Sequence, residues 1–400
     1  MNRQCKALSE AIFPDIVRLR RLIHRRPELA FEEHKTAQLI AETLRPLELD
    51  VRTGVARTGV VAVLRGGLPG PTIALRADMD ALPITEENSF DFASAYLGKM
   101  HACGHDAHTA SLLGTAMILA KLRRHVRGTV CFIFQPSEER APGGAPEMIA
   151  EGVLDARADV PAARAIFGQH VRPDLPVGKI GIRSGRFMAS SDELFFAIRS
   201  LGGHGAAPHQ LNADVVLVAA QLIVSLQSVV SRNCPPDVPS VLSIGRVQAD
   251  GATNVIPDEV FLEGTFRAMD DQWRTRAHEL IRRIAKHTGA AFGAEVDLKI
   301  VVGYPELVND PGATDHVRRA AIEYAGIDNV LEVDLWYAAE DFACYLQRCP
   351  GSFYVLGTGN VKKGITSALH TPRFTIDEEA LRSAPGFMAF LAIKAGDGLE

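Results

Sequence analysis

The stretch Met100-His-Ala-Cys-Gly-His-Asp-Ala-His108 leads directly into a helical pattern of apolar residues that runs to Leu122. It contains a thiol and three imidazoles, the ligand types that suit Zn²⁺ and related first-row ions. Cys103 and His105 are two positions apart, so a turning backbone before the helix can direct both at one ion, whereas an α-helix would not. The stretch therefore predicts metal ligands at the start of a helix.

Apolar strands are predicted on both sides of this stretch, and polar residues follow the end of each. The strands and the residues after them are 72–77 with Asp78-Met79-Asp80, 129–134 with Gln135-Pro136-Ser137-Glu138-Glu139, and 165–168 with Gln169-His170. Because strands alternate with helical patterns, we predict an α/β fold with a mostly parallel sheet and helices on both faces. Such sheets place their sites at the carboxyl ends of the strands, where these polar residues fall.

The pattern changes after Ser184 and returns after Pro311. Between them, predicted strands at 193–199, 240–247, 259–267 and 295–302 are combined with predicted helices at 214–231 and 271–288. This order predicts an α+β unit with two helices on one face of an antiparallel sheet. We therefore expect a discontinuous metal-binding domain, residues 1–184 and 303–400, that is interrupted by an inserted domain, residues 185–302.

Charge and composition argue against several classes of protein. The 400 residues include 43 basic and 48 acidic side chains, a net charge of −5, with no long run of either sign. This balance argues against nucleic acid or an anionic membrane as the main partner. The apolar run 215–230 is interrupted by polar residues and is too short for a bilayer span. The N-terminal region lacks the pattern of an export signal and the six cysteines form no disulfide framework, so we expect a cytoplasmic protein.

Carboxylates after the predicted strands offer both ligands and a base. The adjacent side chains of Glu138 and Glu139 point in different directions, so one can bind metal while the other takes a proton from a metal-bound water. Asp78 and Asp80 can approach a metal or orient a ligand, although a D-x-D at a strand end is often a turn or capping device.

Taken together, the ligand-type residues suffice for two ions. They are Cys103, His105, Glu139, His170 and His370, all at predicted loops or strand ends. Taken singly, His170 could be a core histidine, His370 a loop residue and Cys103 a small buried apolar residue. Two ions that share a water would lower its pKa toward ~7 and polarise a carbonyl oxygen, so the set predicts hydrolysis.

Eight segments lie in order along the chain: Arg76-Ala-Asp-Met-Asp-Ala-Leu-Pro83, Met100-His-Ala-Cys-Gly-His-Asp-Ala-His108, Phe134-Gln-Pro-Ser-Glu-Glu139, Gly203-His-Gly-Ala-Ala-Pro-His209, Asn254-Val-Ile-Pro-Asp258, Gly264-Thr-Phe-Arg267, Glu340-Asp-Phe342 and His370-Thr-Pro-Arg-Phe374. Together they resemble the M20 metallopeptidases, and the resemblance extends from about His24 to the C-terminus. The likeness is strongest to the amidohydrolase branch, which holds hippurate hydrolases, N-acyl-L-amino-acid amidohydrolases, plant auxin-conjugate hydrolases and N-acetyldiaminopimelate deacetylases.

The resemblance implies a site with two divalent ions per subunit, Zn²⁺ or Mn²⁺. The implied ligands are Cys103, His105, Glu139, His170 and His370. Glu138 would be the general base, and Asp80 would orient a ligand. The resemblance also implies that residues 185–302 form a lid and dimerisation domain, and hence a homodimer.

Further roles are implied for the inserted domain. His204 matches the histidine that stabilises the oxyanion of the tetrahedral intermediate, and Asn254 and Arg267 match positions that hold the substrate's carbonyl and carboxylate. Arg267 could instead form a surface ion pair. The chain departs from the family pattern in lacking a proline after Asp214 and in having Ala338-Ala339 where a Gly or Ser often precedes Glu-Asp-Phe. These departures bear on the substrate rather than on the metal chemistry.

We therefore expect a metal-dependent enzyme that cleaves the amide bond of N-acyl-amino acids, which are small-molecule substrates. The alternatives within this chemistry are a dipeptidase or carboxypeptidase and a pathway-specific deacetylase, for example of N-acetyldiaminopimelate. A cysteine hydrolase using Cys103 with His105 is a different class, but residues two apart near a helix start rarely form a nucleophile and base pair. A non-catalytic metal- or ligand-binding protein would bind metal without turnover.

Overall fold

The computed structural model of the protein describes residues 1–157 and 160–398. In that part of the chain the helices are α1 (Asn2–Arg25), α2 (His34–Leu44), α3 (His105–Lys121), α4 (Ala145–Ala150), α5 (Val215–Ser228), α6 (Asp271–Phe292), α7 (Pro311–Ala325), α8 (Phe342–Leu346) and α9 (Ala380–Gly398). The strands are β1 (Asp50–Val55), β2 (Gly59–Arg65), β3 (Leu68–Asp78), β4 (Arg127–Gln135), β5 (Ala163–Pro176), β6 (Ile180–Ile182), β7 (Gly185–Met188), β8 (Asp192–Arg199), β9 (Gly203–His204), β10 (Ser240–Ala249), β11 (Val255–Ile256), β12 (Glu259–Ala268), β13 (Glu295–Val302), β14 (Leu307–Asn309), β15 (Val330–Glu332) and β16 (Gly351–Gly359).

The chain divides into two compact units. The first comprises Met1–Gly185, Val308–Asp334 and Asp341–Glu400, and the second comprises Arg186–Leu307 and Leu335–Glu340. The second unit thus takes in a short segment, Leu335–Glu340, that lies outside the predicted insertion. Trp336 N donates to Phe187 O at 2.9 Å, so this segment is hydrogen-bonded to the start of the second unit. That residues 185–302 act as a lid and dimerisation domain stays a prediction.

One sheet organises the first unit, with the strand order β1-β2-β4-β3-β5-β16-β6-β15. The four central strands, β4, β3, β5 and β16, pair parallel with one another. Antiparallel pairs lie towards the edges, where β1 pairs with β2, β2 with β4, and β6 with β16. Only residues 56–58 join β1 to β2, a connection too short for parallel strands. The predicted α/β fold with a mostly parallel sheet is confirmed.

Helices cover both faces of this sheet, as predicted. The adjacent residues Phe353 and Tyr354 of β16 point to opposite faces. The Tyr354 ring meets Phe387 of α9 at a centroid distance of 5.1 Å, and the Phe353 ring meets Phe342 of α8 at 4.9 Å. The strands are therefore buried on both sides, which explains their continuous apolar runs.

The second unit is built on the antiparallel sheet β10-β12-β8-β13. Helices α5 and α6 pack on each other and share a core with this sheet, in which Leu222 and Ile281 are fully buried. The Asp214 carboxylate accepts the N–H groups of Val216 and Leu217 and so caps α5. This arrangement is the α+β order expected from the sequence.

Helix α5 continues directly into a helical turn at Val229–Asn233, two residues beyond the predicted helix 214–231. The helical segment Val215–Asn233 has 19 residues and a mean hydropathy of 1.7, and by length and composition alone it could cross a membrane. The expectation that this run is too short was therefore wrong, because the helix continues past Val230. About a third of the segment is buried, and Val218, Leu222 and Leu226 lie in the core of the unit.

The carboxyl ends of β3, β4 and β5 lie side by side in the first unit. Asp78 pairs in register with Gln135, and Arg76 with Gly168. The polar residues that follow β3 and β4 therefore reach one edge of the sheet, as expected. His170 differs, because β5 continues to Pro176 alongside β16, so this histidine lies within the strand and not after its end.

Candidate metal centre

Helix α3 begins at His105, one of the predicted metal ligands. Gly104 precedes it with φ of 89°, and a Cβ at this position would lie 2.3 Å from Cγ2 of Val171. Only glycine combines this left-handed conformation with so close an approach. The turn at Gly104 therefore separates Cys103, on the loop, from His105, the first helical residue.

The structure brings all five predicted ligands together in two overlapping groups. The ligand atoms of Cys103, His105 and His170 lie within 4.8 Å of one another, and so do those of Cys103, Glu139 and His370. The Cys103 Sγ is 3.4 Å from His170 Nε2 and 3.3 Å from His370 Nε2. Cys103 thus lies where the two groups meet.

Glu138 and Glu139 both face His105. The Glu139 Oε1 lies 3.7 Å from His105 Nε2 and 3.3 Å from His370 Nε2, while Glu138 Oε2 lies 4.0 Å from His105 Nε2. Glu138, His105 and Glu139 form a third group with ligand atoms within 4.8 Å. The Glu139 carboxylate thus lies near both histidines, and the Glu138 carboxylate lies near His105.

Hydrogen bonds from Nδ1 orient the rings of two of the predicted ligands. His105 Nδ1–H donates to Asp80 Oδ1 at 3.1 Å, and His170 Nδ1–H donates to the carbonyl oxygen of Val171 at 2.7 Å. In each ring Nε2 faces the cluster, as in metal-binding histidines whose ring orientation is fixed by a partner on the other nitrogen.

Two buried atoms without hydrogen-bond partners in the described part of the chain show that these residues fit a transition-metal centre. Within 1–157 and 160–398, neither the buried Nε2 of His105 nor the buried Oε1 of Glu139 has a hydrogen-bond partner. A buried polar atom without a partner is costly, and a bound cation would satisfy both atoms. Thiolate and imidazole ligands favour Zn²⁺, and a carboxylate ligand also suits Mn²⁺.

The other histidines of the stretch Met100–His108 have different surroundings. His108 Nδ1–H donates to Asp78 Oδ1 at 2.6 Å, and its Nε2 accepts the N–H of Val171 at 2.8 Å, so both ring nitrogens are used. Neither nitrogen of the buried His101 has a partner among the described residues, and burial lowers its pKa to about 4.

Sequence reasoning missed the network that holds Asp78. Arg76 is fully buried, and its Nη1 donates to Asp78 Oδ2 at 2.6 Å while its Nη2 donates to Asp341 Oδ1 at 2.8 Å. A buried arginine needs such partners, and an arginine two positions before an aspartate in an apolar strand was the signal available. The network ties the end of β3 to the residue that precedes α8.

Comparison with known proteins identifies the family. The profile of peptidase family M20/M25/M40 matches residues 74–393. The chain belongs to peptidase family M20. It is 45% identical over 319 residues to the N-acyl-L-amino acid amidohydrolase of Geobacillus stearothermophilus, covering 79% of this chain and 84% of that one. It is 41% identical over 385 residues to an N-acetylcysteine deacetylase of Bacillus subtilis, covering 96% of this chain and 97% of that one.

Other relatives of this M20 protein have different names. Thermostable carboxypeptidase 2 of Saccharolobus solfataricus is 39% identical over 382 residues, 95% of each chain. The crystal structure of Bacillus subtilis YXEP, described as a dinuclear metal-binding peptidase of family M20, matches with a TM-score of 0.82 and 38% identity, covering 97% of this chain and 99% of that one. The predicted family is confirmed, and this M20 protein is a hydrolase of carbon–nitrogen bonds.

Electrostatics in the metal-free M20 site favour protonated ligands. Burial, and then the charges of Glu139 and Glu138, raise the pKa of the Cys103 thiol well above its usual value. Burial alone would lower the pKa of His105, but the charge of Asp78 and the hydrogen bond to Asp80 raise it to about 10. Both groups therefore carry protons that a metal ion would have to displace.

The remaining predicted residues of this M20 hydrolase lie in the second unit. His204 on β9 pairs with Val255 on β11, and Asn254 O accepts the N–H of Gly205 at 2.8 Å, so His204 and Asn254 are neighbours on one short ribbon. Arg267 lies on β12 in the four-stranded sheet, and burial lowers its pKa. The roles of these three residues stay predictions.

Proposed function

We propose that this M20 hydrolase cleaves the amide bond of N-acyl-amino acids with two divalent ions per subunit, Zn²⁺ or Mn²⁺. The proposed ligands are Cys103, His105, Glu139, His170 and His370. The observation that carries the proposal is that these side chains form two groups sharing Cys103, with the separate carboxylate of Glu138 beside them. A zinc ion with a purely structural role would need its ligands but not the additional carboxylate of Glu138.

The residues of the chain have distinct tasks in this reaction. Bound ions supply Lewis acidity, which lowers the pKa of a water and polarises the substrate carbonyl. Glu138 accepts a proton from the attacking water and returns it to the departing nitrogen. Asp80 holds the His105 ring and the Glu139 backbone in place. The Glu138 carboxylate is thus neutralised and then charged again within one turnover, as expected of a general base that becomes an acid.

The substrate class is inferred from relatives and from residue chemistry. The relatives include proteins named N-acyl-L-amino acid amidohydrolase and N-acetylcysteine deacetylase. An imidazole such as His204 can donate to an oxyanion, an amide such as Asn254 can donate to a carbonyl, and Arg267 can bind a carboxylate with two parallel hydrogen bonds. An N-acyl-amino acid contains each of these groups.

Assembly as a homodimer and a cytoplasmic location are part of the proposal. Leu217 and Val224 on the outer side of α5 are 55% and 67% exposed, which leaves an apolar strip that a second copy could cover. The location is inferred from the six scattered cysteines, whose spacing forms no disulfide framework. Sedimentation analysis of the purified protein measures its oligomeric state.

The test is release of free amino acid from N-acetyl-, N-benzoyl- and other N-acyl-amino acids. Turnover should require Mn²⁺ or Zn²⁺, disappear with a chelator and return when metal is added back. Activity that survives chelation would instead support the cysteine hydrolase. Metal binding without turnover of any substrate would support the non-catalytic binding protein.

A carboxypeptidase or dipeptidase is the second candidate. It is favoured by the 39% identity to thermostable carboxypeptidase 2 over 95% of both chains. The same catalytic groups serve both reactions, so the difference lies in what the acyl side of the site accepts. Dipeptides and N-acyl dipeptides in the substrate panel, together with N-acetyldiaminopimelate for the pathway-specific deacetylase, separate these candidates by their relative kcat/KM.

A further inference from the structure

A buried carboxylate outside the proposed ligand set contacts the turn that carries the general base. Glu33 is fully buried. Its Oε1 accepts the backbone N–H of Ser137 at 2.9 Å and that of Phe31 at 3.0 Å, and its Oε2 accepts the hydroxyl of Thr58 at 2.5 Å. Three donors thus converge on a carboxyl group that no step of the proposed reaction uses.

The backbone at Ser137 needs such support. Its φ is 53°, in the left-handed region that residues with a side chain rarely adopt unless their surroundings impose it. Two residues later, the N–H of Glu139 donates to Asp80 Oδ2 at 2.9 Å. Glu33 and Asp80 therefore hold the two ends of a three-residue turn, and Glu138 is the residue between them.

We propose that Glu33 is a positioning residue for catalysis: by holding the N–H of Ser137, it sets the direction in which the Glu138 side chain leaves the backbone. This inference rests on the proposed function, in which Glu138 is the general base. Glu33 touches no reacting atom and acts only through Ser137. Because a displacement of ~1 Å can cost about 10²-fold in rate, loss of this contact should act on kcat.

The hydrogen-bond pattern predicts which substitutions preserve the turn. The side chain of glutamine offers one carbonyl oxygen for the N–H groups of Ser137 and Phe31, and its NH₂ group can donate to the Thr58 hydroxyl. Glu33→Gln should therefore keep all three contacts, whereas Glu33→Ala removes them. A role that depended on negative charge would give the opposite result for glutamine.

Glu28 provides a matched control. Its carboxylate accepts the N–H groups of Lys35 at 3.1 Å and Thr36 at 2.9 Å and the Thr36 hydroxyl at 3.0 Å. These are hydrogen bonds of the same types, formed at the start of α2 instead of at the turn 137–139. Glu28→Ala thus removes comparable contacts without removing the support of Ser137.

The experiment compares kcat, KM and metal content of the wild type, Glu33→Gln, Glu33→Ala and Glu28→Ala. We expect Glu33→Ala to lose about 10²-fold in kcat with little change in KM or metal content, and the other two variants to stay close to wild type. Equal kcat for Glu33→Ala and Glu28→Ala would overturn the inference, as would a glutamine variant as impaired as the alanine variant. If Glu33→Ala does not fold, Glu33→Asp, one methylene shorter, replaces it.

A second readout does not depend on activity. Crystal structures of the metal-free variants should show Ser137 at positive φ in Glu33→Gln and at negative φ in Glu33→Ala. A Ser137 that keeps its positive φ in the alanine variant would overturn the inference. If the wild type hydrolysed no amide at all, the proposed function would fail while this structural comparison still decided whether Glu33 sets the turn.

Discussion

The Nδ1–H of His105 donates to Oδ1 of Asp80 at 3.1 Å, and the other oxygen of the same carboxylate accepts the backbone N–H of Glu139 at 2.9 Å. One buried side chain thereby fixes the ring of a proposed ligand on α3 and the backbone of another that follows β4. The two ligands come from segments far apart in the chain, and Asp80, just after β3, is the bridge between them.

Asp80→Ala should weaken metal binding by about 10–100-fold, because the His105 ring loses its orienting partner and Glu139 loses its backbone anchor. Titration calorimetry of the metal-free protein with Zn²⁺ measures the effect. Asp310→Ala is the control, since that carboxylate caps α7 by accepting the N–H of Ala313 at 2.7 Å. Equal affinities of Asp80→Ala and the wild type would show that the ligands need no such support.

Glu138→Gln and Glu139→Gln should fail in different ways. Glu138→Gln should keep its metal and lose about 10²–10⁴-fold in kcat, because an amide cannot accept the proton of the attacking water. Glu139→Gln should lose metal, because it removes the negative charge of a proposed ligand. Metal analysis of each purified variant beside its kcat separates the two effects. Wild-type turnover by Glu138→Gln would remove this residue from its role.

Metal uptake should release protons, and affinity should rise with pH. Cys103 and His105 both have a raised pKa in the metal-free site, that of His105 reaching about 10, so both are protonated near neutral pH. Since the bound form has lost these protons, affinity should increase about tenfold per pH unit for each proton released. Calorimetry in buffers of different ionisation enthalpy counts the protons, and Cys103→Ala should release one fewer. A heat of binding independent of the buffer would contradict this account.

The sequence predicted the central fold because its strands are buried on both faces. The predicted strand 129–134 lies within the buried part of β4, and the predicted strand 165–168 lies within the buried part of β5. Predictions were less accurate where pairing, not burial, sets the end of an element. The strand expected to end at residue 168 continues to Pro176 because β16 runs beside it, and hydrophobic periodicity does not encode that partner.

The candidate ligands could be predicted because their chemistry is visible in single residues, and the structure brings these side chains together. The contacts that support these ligands could not be predicted from the sequence. Glu33 and Ser137 are 104 positions apart, and an acidic residue of the pair Glu32-Glu33 before a helix resembles an ordinary solvated side chain. Only the tertiary fold shows that Glu33 is buried with three donors around it.

Burial of Glu33 should make stability depend on pH in a defined direction. Burial, and then the charge of Asp80, raise the pKa of Glu33 from 4.5 to about 7. Between these two values the folded protein holds a proton that the unfolded chain has lost. The contribution of this group to stability is therefore largest below its unfolded pKa and decreases as pH rises through the folded pKa.

Glu33→Gln has no proton to lose, so it should become more stable relative to the wild type between about pH 5 and about pH 8, by up to about 3 kcal/mol. Denaturant unfolding of the metal-free proteins at both pH values measures this difference. Glu378→Gln is the control: although burial would raise the pKa of Glu378, its contacts with Arg21 and Arg20 lower it. That carboxylate therefore titrates below the tested range, so the stability deficit of Glu378→Gln should be the same at both pH values. A stability difference for Glu33→Gln that also stayed constant would mean that Glu33 keeps one protonation state throughout.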